Sequence, residues 1–398
     1  MSNFWPFAFY FWQYAGVAFA SPFVVLYFQG LGFSGPQIGL LIGLSPLVVL
    51  ISAPLWTGLA DATRRHRLVL SLTLLGSGLA VAAFPFLRAF LPVLILIAFF
   101  SIVNAAIPPL SDNATLQVLG DNRDMYGRQR LGGTVGYALA APLAGQLVQS
   151  YGLAAAFWGC AVMYLCAFLA SQKLWSRPMP LSAAAPVHQN EAVRGGVRLL
   201  MTNPRWLLFL VAAFAGGMAA AATNSYLFPY LRELGANEST MGIALTIGTV
   251  LEMPMLFFGN RLLRWLKAYP LFLAALTIYA GRLLLMAAAS TTLQALLIQL
   301  LNGLCFPVMW LAGVAFADES APSGLGATAQ GLFGAAMFGV GTAIGGFVGG
   351  TLLVSVGAHR LFLVFGLVVL TVVAVVALAG RLLTSTESKA TISPESSD

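Results

Sequence analysis

Gly242 to Phe258 reads GIALTIGTVLEMPMLFF. Wound as a helix, this stretch is apolar on every side, with one carboxylate, Glu252, near its middle. A charge at the centre of a bilayer costs about 2.5–3.5 kcal/mol on insertion scales, so packing alone does not retain one there. The next apolar stretch, Leu276 to Ala289, reads LTIYAGRLLLMAAA and holds Arg282 in the same central position. A buried acid and a buried base on consecutive spans are expected to be partners, in or beside a path for solute.

Outward from this pair, the whole chain has the same character. It has 398 residues, of which 59% are hydrophobic and only 8% charged. Soluble domains carry about 25% charge, so lipid must cover most of this surface. A span needs about 20 apolar residues, and twelve stretches qualify: 4–29, 36–59, 68–87, 91–118, 130–150, 154–172, 205–230, 240–258, 270–289, 292–317, 327–351 and 360–382. The stretch 173–204, rich in Pro, Ser, Ala and charge, reads as a linker between two groups of six. The expected division is a bundle over 1–172, the linker over 173–204, a bundle over 205–383 and a tail over 384–398. The first residues, MSNFWPFAFYFWQ, lack a basic region and a cleavage site, and read as the start of a first span and not a signal peptide.

The net charge of +7 does not imply nucleic acid, because the basic residues form no stripe with interleaved aromatics. They sort by side instead. With both chain ends inside, sixteen of the twenty Lys and Arg fall in inner segments, three (Arg88, Arg232, Arg360) in outer loops, and the last is Arg282. That asymmetry predicts cytoplasmic termini. The cysteines, Cys160, Cys166 and Cys305, all lie inside spans, which excludes a disulfide framework and shows no metal-ligand spacing. All three histidines, His66, His188 and His359, lie in loops or the linker, so no buried nucleophile–base or metal cluster argues for an enzyme.

The two groups of six repeat one another. Tyr27, Leu31-Gly32 and Gly39 recur 203 residues later as Tyr230, Leu234-Gly235 and Gly242. Gly145, Leu147, Ser150, Gly152 and Phe157 recur at a shift of 205 as Gly350, Leu352, Ser355, Gly357 and Phe362. Repeated halves place a site between them, near the midplane.

These features resemble the major facilitator superfamily along the whole chain. The loop after the second span carries Gly58-Leu59-Ala60-Asp61 and then Arg64-Arg65-His66-Arg67, with Thr57 where the superfamily has a glycine. Within the superfamily the chain resembles the branch of phenylpropionate permease, with lactose permease and nucleoside–proton symporters more distant. The resembling residues are Pro109 to Ala114, Tyr126-Gly127-Arg128, Arg130-Leu131-Gly132, Glu252 and Arg282. Lactose permease has a histidine and a glutamate in the middle of span ten. Here that span offers Asn302, Cys305, Phe306 and Trp310, which speaks against a lactose-type proton site and leaves sugar as only one of several solute classes.

The resemblance implies an all-α membrane protein of two pseudo-symmetric six-helix bundles. It implies a secondary transporter, expected to be a proton-coupled importer of an aromatic acid, sugar or nucleoside, with a proton-driven exporter as the alternative. No cofactor is expected beyond the proton gradient. The expected setting is a bacterial inner membrane, with the bilayer and a small solute as partners, no nucleic acid, and a monomeric chain.

Glu252, Arg282 and Asp112 are the candidates for proton coupling. Glu252 lies about 18 Å from the outer end of its span, and Arg282 about 18 Å from the inner end of its own, at 1.5 Å per residue. Both therefore fall near the middle, offset by several ångströms that two long side chains can bridge directly or through solute. An unpaired carboxylate in a low dielectric favours its protonated form. Proton loading of Glu252 would then free Arg282 for solute. Asp112, behind Pro108-Pro109, is open to three roles: capping a helix break, pairing with Arg128 or Arg130, or lining the cavity. The solute candidates are Gln13, Tyr14, Asn104, Asn224, Tyr226, Asn302, Trp310 and Gln330, on spans that line the cavity in the superfamily. Asp61, Arg64, Arg65, Arg128 and Arg130 are the expected gating charges.

Overall fold

Polar residues at the ends of the apolar stretches fix where each helix begins. In the computed structural model, which describes residues 4–174, 198–322 and 324–391, Asn237 accepts the Thr240 N–H at 2.9 Å and opens one helix. Asn203 does the same for the helix that begins at Pro204. Capping boxes, Ser34 with Gln37 and Thr291 with Gln294, open two others. The helices are α1 Phe4–Gly30, α2 Gly35–Thr63, α3 His66–Phe86, α4 Phe90–Leu119, α5 Arg123–Tyr151 and α6 Ala154–Ser171, then α7 Pro204–Glu233, α8 Glu238–Trp265, α9 Ala268–Ala288, α10 Thr292–Ser320, α11 Gly326–Val356 and α12 Ala358–Thr391. Eleven are long and apolar enough to cross a membrane; the other, α8, has 28 residues and carries Glu252. Most of the expected linker (175–197) and the end of the expected tail (392–398) lie outside the described residues.

Four helices are interrupted among the described residues, α10 by a 3-10 turn at Gln299–Leu301 and three others. A 3-10 turn, Ser21–Phe23, bends α1 at Pro22. Helix α4 breaks at Ala105–Ala106, so that Pro108 and Pro109 occupy the first turn of its second segment, where a missing N–H costs nothing. Helix α11 widens to a π-helix over Ala335–Gly341.

The sequence repeat is a structural repeat. The Tyr27 hydroxyl donates to the Phe84 carbonyl at 3.0 Å, and the Tyr230 hydroxyl donates to Met286 at 2.7 Å. The Tyr27 ring meets Phe157 at 4.7 Å and 62°; the Tyr230 ring meets Phe362 at 4.9 Å and 64°. Gly32 and Gly235 end their helices at φ of 77° and 78°, a left-handed turn that glycine allows without a Cβ clash.

Call the face where Phe4 lies proximal and the opposite face distal. The bundles touch mainly on the distal side. There, α2 lies on α11 and α5 on α8 with almost no side chain between them. A Cβ on Gly39 would strike the Phe347 carbonyl, and one on Gly242 would strike that of Ala141. The Thr246 hydroxyl crosses the seam to donate to Ala138 O at 2.8 Å. Phe23 of α1 meets Phe228 of α7 edge to face at 4.8 Å. The distal side is therefore closed.

Candidate functional site

Between the bundles lies a cavity of about 920 Å³ that reaches the proximal end of α5 at Asp124, Gly127 and Arg128. Glu252 of α8, Arg282 of α9 and Asn302 of α10 all line it. The expected partnership of Glu252 and Arg282 runs through a third side chain, as a relay. Asn302 Nδ2 donates to Glu252 Oε1 at 2.6 Å. Its other end, Oδ1, accepts from Arg282 Nη1 at 2.7 Å. One amide thus satisfies both charges, and its orientation is set by them. Arg282 Nη2 donates to Gln299 Oε1.

The local fold explains why two amides meet one guanidinium. The backbone between them, Gln299–Leu301, is a 3-10 turn. In such a turn residues i and i+3 eclipse, so Gln299 and Asn302 project from the same side of α10. Arg282 is 2% exposed, and burial of so polar a group is tolerated only with partners. Its guanidinium also lies 5.8 Å from the Tyr279 ring centre. The Tyr279 hydroxyl is hydrogen-bonded to Thr223 of α7 at 2.6 Å, which ties α9 to α7. Arg282 Nε has no partner.

The N-terminal bundle holds a second cluster. Tyr10 donates to Asp112 Oδ1 at 2.6 Å. Arg130 Nη1 lies 3.7 Å from Asp112 Oδ2, and Arg130 Nη2 donates to the Tyr14 hydroxyl at 3.1 Å. Arg130 also donates to Tyr126 at 3.4 Å and sits over the Tyr10 ring at 5.8 Å. Of the three roles open to Asp112, the structure has it paired with Arg130. Arg130 itself is half-exposed, in contrast to Arg282.

The solute candidates divide evenly. Tyr14, Asn224, Asn302 and Trp310 line the cavity. The other four are placed elsewhere. Gln13 is buried with Oε1 unpartnered. Asn104 accepts from Tyr164 at 2.8 Å within the N-terminal bundle. Tyr226 donates to the Gly346 carbonyl, joining α7 to α11. Gln330 donates to Asp318 at 3.3 Å near the proximal end. Trp310 stacks on Phe333 at 5.4 Å and lies against Phe338, so its ring is fixed.

Of the gating candidates, Arg128 and Arg130 line the cavity, while Asp61, Arg64 and Arg65 do not. Asp61 is engaged by His66 Nε2 at 2.8 Å, within its own loop. Arg64 closes α2 in a left-handed conformation at φ 56°. Among the lining residues that escaped the sequence reading are Tyr137, Thr223, Tyr279 and Gln299. Gln299 had a legible signal, since it stands three residues before Asn302 on the same helix face.

The family model described as MFS_1 like family matches residues 6–383. An uncharacterized transporter of Bacillus subtilis, YwbF, is 26% identical over 365 residues, covering 90% of this chain and 88% of that protein. Maltose permease of Geobacillus stearothermophilus is 28% identical over 357 residues, with 89% of each chain covered. Multidrug resistance protein MdtG of Escherichia coli is 29% identical over 250 residues, or 60% of this chain and 59% of that protein. Among solved structures, the nucleoside transporter NupG superposes with a TM-score of 0.84 at 16% identity, over 95% of this chain and 99% of that one. That last likeness is one of fold.

Proposed function

This chain belongs to the MFS_1 like family and is a transporter of the major facilitator superfamily; from that premise we propose that it is a proton-coupled symporter importing a small polyhydroxylated solute such as a sugar or nucleoside. The observation that carries this reading is the Glu252–Asn302–Arg282 relay on the cavity wall. Glu252 is the titrating group. When charged, it accepts from Asn302, and Arg282 holds the amide from the other end. When protonated, it no longer needs that N–H, and Asn302 Nδ2 and the carboxyl O–H are released to meet solute hydroxyls. Arg282 stays charged throughout and remains tied to Gln299.

The solute class follows from the balance of the wall. At the relay Glu252 and Arg282 offset one another, which suits a neutral solute there, while Asp124, Arg128 and Arg130 line the cavity on the side of the N-terminal bundle. Trp310 and Phe306 supply an apolar face, and Asn224 and Asn302 supply amides. Maltose permease and the nucleoside transporter among the similar proteins support a hydroxyl-rich solute. The excess of basic residues on the proximal face supports a cytoplasmic assignment for that face, so the cavity is read as inward-facing. The relatives named are bacterial, and we place the chain in the inner membrane, working as a monomer on the proton gradient without a cofactor.

Likeness to MdtG over part of the chain favours one second reading, a proton-driven exporter. Proteoliposomes separate the two. With an inward proton gradient, the symporter accumulates maltose or a nucleoside and takes up protons with it. Accumulation only when the gradient points outward would establish the exporter. Solute movement with no proton movement in either direction would remove Glu252 from the mechanism.

A further inference from the structure

On the outer side of the N-terminal bundle, away from the solute cavity, α3 and α6 leave a groove of about 510 Å³. Arg65 and Arg67 stand at its proximal end, and Leu68, Leu72, Leu75 and Phe168 line it. We infer that this groove is a binding site for one anionic phospholipid of the proximal leaflet. It rests on no assumption about the transported solute.

Length supports a lipid first. From Arg65 to Leu75 is ten residues of helix, about 15 Å at 1.5 Å per residue. The hydrocarbon core of a bilayer is about 30 Å thick, so the groove has the depth of one leaflet. Leu68, Leu72 and Leu75 recur at helical spacing on one face of α3, which gives an acyl chain a continuous apolar wall. Leu72 is 57% exposed, far from the packed interior.

Charge supports an anionic headgroup. Arg65 precedes the first turn of α3 and Arg67 lies within it, so two guanidinium groups join the positive end of the helix dipole. The head of Arg67 is not loose. Its Nε and Nη2 both donate to Gln172 Oε1, at 3.2 and 3.1 Å, and Gln172 Nε2 donates to Ser71 at 2.8 Å. This network fixes Arg67 beside the groove with Nη1 outside those bonds. Basic pockets between spans on the positively charged side are where anionic headgroups bind.

The test uses the full-length protein in detergent, with native mass spectrometry to read bound lipid and a melting curve to confirm folding. Phosphatidylglycerol should be retained and phosphatidylcholine should not. Arg65→Gln with Arg67→Gln should weaken phosphatidylglycerol binding about thirtyfold, from about one basic-residue increment each. Leu72→Trp, which fills the groove and leaves the charges alone, should weaken it as well. Phosphatidylglycerol binding unchanged in both variants overturns the proposal. So does a loss with the arginine changes alone, which would mean a diffuse surface charge and no groove. Equal retention of phosphatidylcholine, or competition by sn-glycerol 3-phosphate as strong as by the lipid, removes the anionic lipid from the site.

Discussion

The two bundles share a frame and differ in where they keep their charge. Tyr27 and Tyr230 make the same bond to the end of the third helix of their own half, and the glycine turns beside them agree to within one degree of φ. The ionic clusters follow no such correspondence. Arg130 and Asp112 are partly exposed, with side-chain exposures of 43% and 30%. Arg282 is 2% exposed and held by two amides. The repeat thus preserves backbone geometry, while the demanding chemistry is concentrated in the C-terminal half. A charge kept in a low dielectric responds strongly to a single proton; one near water is screened.

That contrast has a large expected consequence. Arg282→Ala should abolish transport and lower stability by about 1–3 kcal/mol, because buried acceptors on Gln299 and Asn302 lose their donor. Arg130→Ala should cost no more than about 1 kcal/mol, as for a partly exposed pair. Melting curves in one detergent compare them, and equal losses would mean that burial does not distinguish the clusters.

Next comes the proton. Glu252→Gln should end proton-driven accumulation yet keep solute exchange, since the amide imitates the protonated acid. Asp112→Asn should slow accumulation by a few-fold at most. If Asp112→Asn ends accumulation and Glu252→Gln does not, the coupling role belongs to the N-terminal half.

The seam gives a third comparison. Gly39→Val and Gly242→Val each put a side chain against a facing carbonyl. Both should open the distal side, so that a cysteine at Phe23 or Phe228 becomes reactive to an impermeant thiol reagent from that side. Labelling no faster than in the unsubstituted glycine background would show that the seam tolerates bulk.

The smallest effect tests the shared frame. Tyr27→Phe and Tyr230→Phe each remove one buried hydrogen bond, worth about 0.5–1.5 kcal/mol. The two losses should agree within about 0.5 kcal/mol.

Much of this was legible in the sequence. Eleven of the twelve helices follow from length and apolarity, α8 from a shorter apolar stretch around Glu252, and the repeat from two nearly equal shifts. Glu252 and Arg282 announced themselves because a charge in a span is costly. What could not be read was rotation about each helix axis. Tyr226 and Asn224 are two residues apart on α7, yet Asn224 faces the cavity and Tyr226 binds the backbone of α11. In a span that is apolar all round, sequence gives no preferred face, and only packing against neighbours decides it. The same limit hid the relay. Depth put Glu252 and Arg282 both near the midplane, but the gap between them, bridged by Asn302 of α10, has no signature along the chain.

The distal seam is built from backbone, and the cavity from side chains. Gly39, Gly145, Gly242 and Gly350 hold the barrier by bringing main-chain atoms together where no Cβ fits, and none of the four lines the cavity. The two sets of positions can therefore diverge separately. Replacing the cavity-lining Asn224, Phe306 or Trp310 leaves the barrier against ion leak untouched. Over evolutionary time such a chain can remodel its cavity without passing through a leaky ancestor.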